Sequence, residues 1–374
     1  MSANFALPVI RQALSLQRAM VGAIGAEAPA LTVSRELPPA PAPAERGTVA
    51  VLGAGIAGLT VAYELRKRGY DVVILEATER AGGRNRTVRR GDVLFELDDG
   101  GGLVQTHECK FDHGLYLNLG PGRIPYHHRR VLGYCYDFGV ALEPYIMETT
   151  AAFESLHTNG TPVQWRNRQV ANDIRGYIAA QLAQCLRKVG WQAEQRFWED
   201  DENQIYGGIS WTDDIINQVW FPSNDFSSAH GTLTGAYNFG DDAERLGKMH
   251  PSARLRTARD CAARLHPQFA DDKIVPPEKG LSIAWHKVPF QLGGFAAWDP
   301  SNPDHKVAYK QLLTPEANGP FYVTGDQASP LPGWQEGAMM SAHYVLNQIL
   351  GVTPAEAPEI VRVPDATALT QGLY

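Results

Sequence analysis

The feature that most narrows what this chain can fold into is Thr48-Val49-Ala50-Val51-Leu52 running directly into Gly53-Ala54-Gly55-Ile56-Ala57-Gly58. Thr48 to Leu52 is a short β-branched run of the kind that forms a buried parallel strand. Ile56 to Arg68 then carries helical periodicity: Leu59, Ala62, Tyr63 and Leu65 are apolar, Arg66-Lys67-Arg68 closes the last turn, and Gly69 stops it. Asp71 to Glu76 reads as a second buried strand. Strand, helix and strand in succession predict a βαβ unit with a right-handed crossover. In that setting the GxGxxG pattern has a definite use. Gly53 permits the tight turn, Gly55 lets a pyrophosphate approach the backbone, and Gly58 lets the helix press on the strand. The amides of that turn, Ala57 included, and the positive end of the helix dipole suit phosphate charge. Glu76, at the end of the second strand, is placed for ribose hydroxyls and would repel a 2′-phosphate, which disfavours NADP. The pattern predicts a dinucleotide site.

Composition excludes several classes. The 374 residues are 44% hydrophobic and 20% charged, the balance of a soluble globular protein with a core. With 34 Lys+Arg against 41 Asp+Glu the formal net charge is -7, which argues against a nucleic-acid partner. No apolar run is long enough to span a membrane. Cys109, Cys135, Cys185 and Cys261 stand singly, without the paired spacing of a structural zinc site or a disulfide scaffold, and fit a reducing cytoplasm. The His and Asp residues show no metal-ligand spacing either. Met1 to Gly25 has apolar periodicity interrupted by Arg11 and Arg18, predicting a short amphipathic helix instead of a secretion signal. Ala28 to Arg46, rich in Pro and Ala, predicts an extended arm.

Further along, Glu79-Arg80-Ala81-Gly82-Gly83-Arg84 delivers an arginine just after the ribose-binding carboxylate, where it can meet a pyrophosphate from the side opposite the helix. The middle of the chain shows no repeated βα alternation, but helical stretches at Tyr126–Phe138 and Asp173–Val189. Pro320 to Gly325 reads as a third apolar strand, followed by a Gly/Pro-rich turn and a helix from about Glu336 to Leu350; a tail follows Gly351.

Four segments together resemble the flavin monoamine oxidase family, most closely its FAD-dependent L-amino-acid oxidases. They are Val49 to Arg84; Gly114 to Pro125; Lys188 with Arg196-Phe197-Trp198-Glu199-Asp200 and Gly207 to Asp213; and Gly325-Asp326 through Pro332-Gly333-Trp334-Gln335-Glu336-Gly337-Ala338. The resemblance implies an α/β fold in which a Rossmann-type FAD-binding domain, residues 47–125 and 312–352, is interleaved with an α+β substrate-binding domain, 126–311. Residues 1–46 form the helix and arm, and 353–374 the tail. Against the family the chain looks short: no strand-forming stretch is seen between Gln105 and Lys188, and the helix ending near Leu186 runs straight into Lys188.

The site the resemblance implies is specific. FAD would be held by Gly53, Gly55, Ala57, Gly58, Glu76, Gly83, Arg84, Gly122, Asp326, Trp334, Glu336 and Ala338. Arg123 would grip the substrate carboxylate through parallel hydrogen bonds, Lys188 would hold a water against flavin N5, and Gly333 and Trp334 would wall the substrate beside the ring. The implied reaction takes an L-amino acid and O2 to a 2-oxo acid, ammonia and H2O2, with hydride passing from Cα to N5. An amine or polyamine oxidase, an amino-acid oxidative decarboxylase, and a non-catalytic flavin-binding homologue are the alternatives. His127 or His128 is a candidate base toward the substrate ammonium. Trp211, Trp220, Trp285 and Trp298 are candidates for the pocket wall, and Asp213 and Asp214 for a cationic substrate side chain. A homodimer is the state such proteins commonly adopt.

Overall fold

The computed structural model describes residues 37–42, 46–147, 149, 151–158, 161–166, 187–238, 240–291, 293–296, 298–299, 301–314 and 321–351. The amphipathic helix at Met1–Gly25, most of the helix at Asp173–Val189 and the tail after Gly351 lie outside them. Residues 37–42, part of the arm, take no regular structure; the guanidinium of Arg68 donates to the carbonyls of Leu37 and Pro38.

The leading βαβ unit forms as the residues dictate. Strand β1 (Thr48–Leu52), helix α1 (Ile56–Lys67) and strand β2 (Asp71–Leu75) follow one another, and β1 pairs β2 in parallel from Thr48↔Asp71 to Leu52↔Leu75. Val51, Val61, Ala62 and Leu65 pack there against Ala342 and Leu346 of a helix near the other end of the chain. The expectation that both strands are buried on two faces fails. Leu52 is 70% exposed and Leu75 56%, because among the described residues β1 and β2 form a two-stranded sheet covered by helices on one side only.

Four short strands follow: β3 (Thr87–Arg89), β4 (Val93–Leu97), β5 (Leu103–Glu108) and β6 (Tyr116–Asn118). β3 pairs antiparallel with β6, and β4 with β5. Helix α2 (Arg129–Asp137) is shorter at its start than the Tyr126–Phe138 periodicity predicts, with His128 at its N-cap. The absence of strands between Gln105 and Lys188 is also overturned. Besides β5 and β6, strands β7 (Phe153–Thr158) and β8 (Thr161–Arg166) form an antiparallel hairpin. Their apolar residues, Phe153, Leu156, Val163 and Trp165, stand singly among polar ones, so no apolar run marked them in the sequence.

Lys188 itself lies in a strand, while residues 167–186, which would carry the helix expected before it, lie outside the described residues. Arg187–Ala193 is strand β9, and it joins β10 (Ile209–Thr212), β11 (Gln218–Trp220), β12 (Gly231–Asn238) and β13 (Gly280–Ala284), with β7 and β8, in a seven-stranded sheet of order β13-β9-β12-β11-β10-β7-β8. β9 lies between β12 and β13 and is buried on both faces, which hides its period of two. Val189, Trp191 and Ala193 enter the largest core cluster, with Phe197, Trp198, Phe221 and Phe269. Removing a ring as buried as that of Trp191 costs about 3–5 kcal/mol. Helices α3 (Gly240–Lys248) and α4 (Pro251–Leu265) follow β12, and Ala258, Cys261, Ala262 and Leu265 of α4 complete that cluster. Arg254 of α4, fully buried, donates to both oxygens of Glu96 on β4 at 2.9 and 3.0 Å, tying the hairpin to the large sheet.

Helix α5 (Pro303–Leu313) precedes the last segment. The described part of the third apolar strand, Phe321 to Thr324, is not in a ladder. Thr324 Oγ1 and the Gly325 amide bond instead to Ser341 Oγ of helix α6 (Gln335–Ile349), so the segment is fastened to a helix and not to β1. Helix α6 itself lies where the sequence places it.

Candidate active site

Glycine geometry at the start of α1 fits a pyrophosphate. A Cβ at Gly58 would sit 2.1 Å from the Gly53 carbonyl oxygen, so only glycine lets the helix lie this close to the turn. A Cβ at Gly53 or Gly55 would meet nothing within 4 Å, so both face open space. Gly53 adopts φ 101°, a conformation that favours glycine. No acid occupies the first turn of α1, whose amides, with buried Ala57 among them, keep their positive end. Glu76 lies beside this turn: one oxygen accepts from the Ala54 amide at 2.7 Å and the other from the Thr78 amide at 2.9 Å. The Ala54 bond above all lowers its pKa, so it stays ionised.

The second glycine motif closes over the first. Gly82 N donates to Ala54 O at 2.7 Å, Gly55 bridges Gly82, and an added Cβ on Gly83 would rest 3.6 Å from Gly55 Cα. Arg84 then reaches across 242 positions to pair with Asp326, one nitrogen at 3.2 Å, and also donates to Gly294 O. Asp326 Oδ2 accepts from the Gly333 amide at 2.8 Å, which fixes the turn bearing Trp334. Gly333 takes φ 81°, again a glycine conformation. The two ends of the chain that the sequence assigns to one cofactor therefore meet.

Ala338 is buried in the first turn of α6. The carboxylate of Glu336, one of the expected cofactor-binding residues, is occupied within the protein. Its carboxylate accepts from the amides of Arg130 and Val131 and from the Arg130 guanidinium at 3.1 Å. It thus caps α2 and holds α6 against it, and the charge is satisfied within the protein.

The carboxylate-binding candidate sits among aromatic rings. The guanidinium of Arg123 lies 5.5 Å from the ring centre of Trp220 and 5.3 Å from that of Trp334. Gly122 permits this, since a Cβ there would come within 2.8 Å of the Trp220 ring. Burial lowers the pKa of Arg123, and the nearest groups acting on it are the phenols of Tyr237 and Tyr145. Among the described residues no carboxylate pairs with Arg123.

Lys188 stands in the same box. It is buried, donates to Gly120 O at 2.8 Å, and its ammonium lies 5.6 Å from the Trp220 ring and 4.7 Å from the Tyr237 ring. Burial first, and then the charge of Arg123, bring its pKa down to about 7. Tyr237 reaches it through an irregularity: Thr234 faces Gly190 and Ala236 faces Val189, so the bulge at Gly235 shifts the register and Tyr237 lands opposite Lys188.

His128 packs edge-on against Trp334 at 4.9 Å between ring centres, and burial, more than its neighbours His127 and Arg123, lowers its pKa to about 4. It is neutral near pH 7. His127 is exposed. Of the four tryptophans proposed for the pocket wall only Trp220 stands in this box. Trp285 belongs to the core cluster of Leu281 and Ile283, Trp298 packs on Tyr309, and Trp211 pairs with Gln218 across β10 and β11. Asp214 is taken up by Arg264 and lines, with Asp213, a separate open cleft of about 470 Å³ bounded by α3 and α4. Neither aspartate joins the Arg123 box. Tyr145 and Tyr237 were missed in the sequence; Tyr237, two positions past Gly235 on a strand, carried the only available signal.

Asp112, Glu194 and His230 place their ligand atoms within 4.8 Å of one another, but the Lys279 ammonium lies 3.0 Å from Asp112 and 2.6 Å from Glu194 and already pairs with both carboxylates. No described helix is long and apolar enough to cross a membrane.

Comparison with known proteins identifies the family. The family model described as flavin containing amine oxidoreductase matches residues 56–190 and 183–350. The chain is 35% identical over 153 residues, 38% of its length, to the L-amino acid oxidase Cdc18 of Crotalus durissus cumanensis, of which that stretch covers 26%. It is 29% identical over 176 residues, 46% of its length, to the flavin-dependent L-tryptophan oxidase RebO of Lentzea aerocolonigenes, of which 34% is covered. The chain thus spans between about a quarter and a third of the length of these curated relatives. In structure it resembles a putrescine oxidase bound to putrescine, with a TM-score of 0.55 at 13% identity, covering 82% of this chain and 99% of that one. The glycine turns, the Arg84–Asp326 pair and the matched segments lead to one assignment: the chain belongs to the flavin-containing amine oxidoreductase family, and its cofactor is FAD.

Proposed function

We propose that this protein oxidises L-amino acids. The observation that supports this reading is Arg123: a cation in an aromatic box with Lys188 beside it and no acid, among the described residues, to balance either. A half-buried charge without a partner is costly, and a ligand carboxylate relieves that cost with two parallel hydrogen bonds. A simple amine has no carboxylate to offer Arg123 and gains nothing there.

The residues divide the work. Arg123 binds and orients the carboxylate, Trp220 and Trp334 exclude water from the ion pair, and Tyr237 with Tyr145 narrows the pocket around the side chain. The turn at Gly53–Gly58, Glu76, Gly83 and Arg84 would hold the dinucleotide half of FAD in a Rossmann-type manner, with Asp326 and Gly333 toward the flavin half. When bound, FAD supplies the hydride acceptor and passes the electrons to O2. His128, neutral at pH 7, fixes Trp334 by its edge contact. Products on this reading are a 2-oxo acid, ammonia and H2O2.

The test is a peroxide-coupled assay of the FAD-loaded protein against the twenty L-amino acids and, in parallel, their decarboxylated amines and common polyamines. Peroxide from amino acids alone supports the reading. Turnover confined to amines or polyamines overturns it in favour of an amine oxidase.

A further inference from the structure

Lys188 and Arg123 set two basic groups against one indole. The ring centre of Trp220 is 5.5 Å from the guanidinium and 5.6 Å from the ammonium. Each element packed against Lys188 can be inspected for charge. From β12 it meets Tyr237, its direct cross-strand partner, and from β13 Ile283. From the segment after β6 it meets the carbonyl oxygens of Asn118 and Gly120, at 3.4 and 2.8 Å. Burial pushes the hydroxyls of Tyr237 and Tyr145 up to about 12, so both stay neutral. Arg123 is therefore the one described charge that acts on Lys188 here, and its sign opposes a second proton in the box.

We infer that a carboxylate held by Arg123 draws a proton onto Lys188, so that ligand and proton enter the site together. This rests on the carboxylate reading above. The guanidinium keeps its proton throughout. An anion on Arg123 cancels the repulsion felt by Lys188 and adds an opposite charge beside it, and both effects favour the ammonium. The proton comes from solvent, and no bond other than the N–H forms. Because Lys188 titrates near neutrality in the free protein, a good part of it is neutral at pH 7.5 and becomes charged on binding. By linkage, the anion must then bind more weakly as pH rises above 7. The second cation is thus a conditional part of the carboxylate site, present in full only when the anion is.

The experiment uses benzoate, a carboxylate without an α-hydrogen or an amine, so that nothing turns over. FAD-loaded protein is titrated calorimetrically at pH 7.5 in phosphate and in Tris, whose ionisation enthalpies differ; the difference in apparent heat gives the protons taken up. The expected result is uptake on the order of half a proton per benzoate. Benzoate affinity should also fall several-fold between pH 7 and pH 9. Lys188→Met should bind benzoate more weakly, with no proton uptake and a flat pH dependence. Benzoate bound by the wild type without proton exchange overturns the inference while leaving the carboxylate reading in place; so does uptake that survives in Lys188→Met. A wild type that binds no benzoate at all overturns both. Should the variant not fold, the wild-type proton count decides by itself.

Discussion

Arg84 and Asp326 form an ion pair that joins the glycine turn after β2 to the turn before α6, 242 positions away in the chain. Asp326 is buried, and it also receives the Gly333 amide, so this one carboxylate positions Arg84 and the turn carrying Trp334 together. Replacing Asp326 by Ala leaves Arg84 without its partner and frees the Gly333 turn. Because Arg84 is partly exposed, the loss is below that of a fully buried pair, about 1–3 kcal/mol. Thermal unfolding should show that loss, and the flavin-to-protein absorbance ratio of the purified variant should fall with it.

Gly55 and Gly58 separate cofactor binding from folding. Gly55 has φ −74°, which any residue adopts, and open space where a Cβ would stand. Gly55→Ala should fold with a melting temperature near that of the apo wild type, yet bind FAD at least tenfold more weakly, read by quenching of flavin fluorescence. Gly58→Ala drives a methyl into the Gly53 carbonyl and should lose stability as well. Equal FAD affinity in Gly55→Ala would contradict the placement of the pyrophosphate.

Lys188 also makes the fold sensitive to pH. Its pKa in the folded chain, about 7, lies below the ordinary 10.5. Between those values the unfolded chain binds a proton that the folded chain does not, so this residue costs stability progressively as pH falls from 10.5 to 7, and the cost is constant below. Lys188→Met removes it. The variant should be more stable than the wild type at pH 7, by a few kcal/mol at most given roughly 1.4 kcal/mol per pKa unit less the lost hydrogen bond to Gly120. The gain should shrink toward zero above pH 10. Chemical denaturation at pH 7 and pH 10 measures it.

Arg254 and Glu96 hold the β4–β5 hairpin to α4 away from the site. Glu96→Ala leaves a fully buried guanidinium unpaired and should cost about 3–5 kcal/mol. A paired Arg254→Met, Glu96→Leu variant should recover most of that, since apolar replacement of both partners is often neutral. Denaturant midpoints of the single and double variants check this. No change in the single variant would mean that water reaches the pair.

Most of what the sequence revealed was local. The β1–α1–β2 unit and α6 were legible because their signals, the glycines at 53, 55 and 58 and the apolar periodicity of 336–350, lie within one or two turns of the elements they specify. Arg123 and Lys188 were legible as residues but not as neighbours. Their proximity depends on β9 lying between β12 and β13, a non-local pairing without any mark in the chain. Tyr237 was hidden more deeply, because its direction depends on a one-residue bulge at Gly235. Strand β9 passed for the end of a helix since both its faces are buried and Lys188 and Gln192 take the polar contacts of one face. Leu52 and Leu75 misled in the opposite sense. Apolar composition marked the strands correctly, but did not reveal that Leu52 and Leu75 stand exposed on them.

The most direct test is Arg123→Met, compared with the wild type on one L-amino acid that the wild type oxidises and on the amine obtained by removing its carboxylate. The account requires kcat/KM for the amino acid to fall about a hundredfold or more, as loss of a buried charge pair implies, while the amine changes little or improves. An amino acid that the variant oxidises as well as the wild type does, or an equal fall for both substrates, would contradict it.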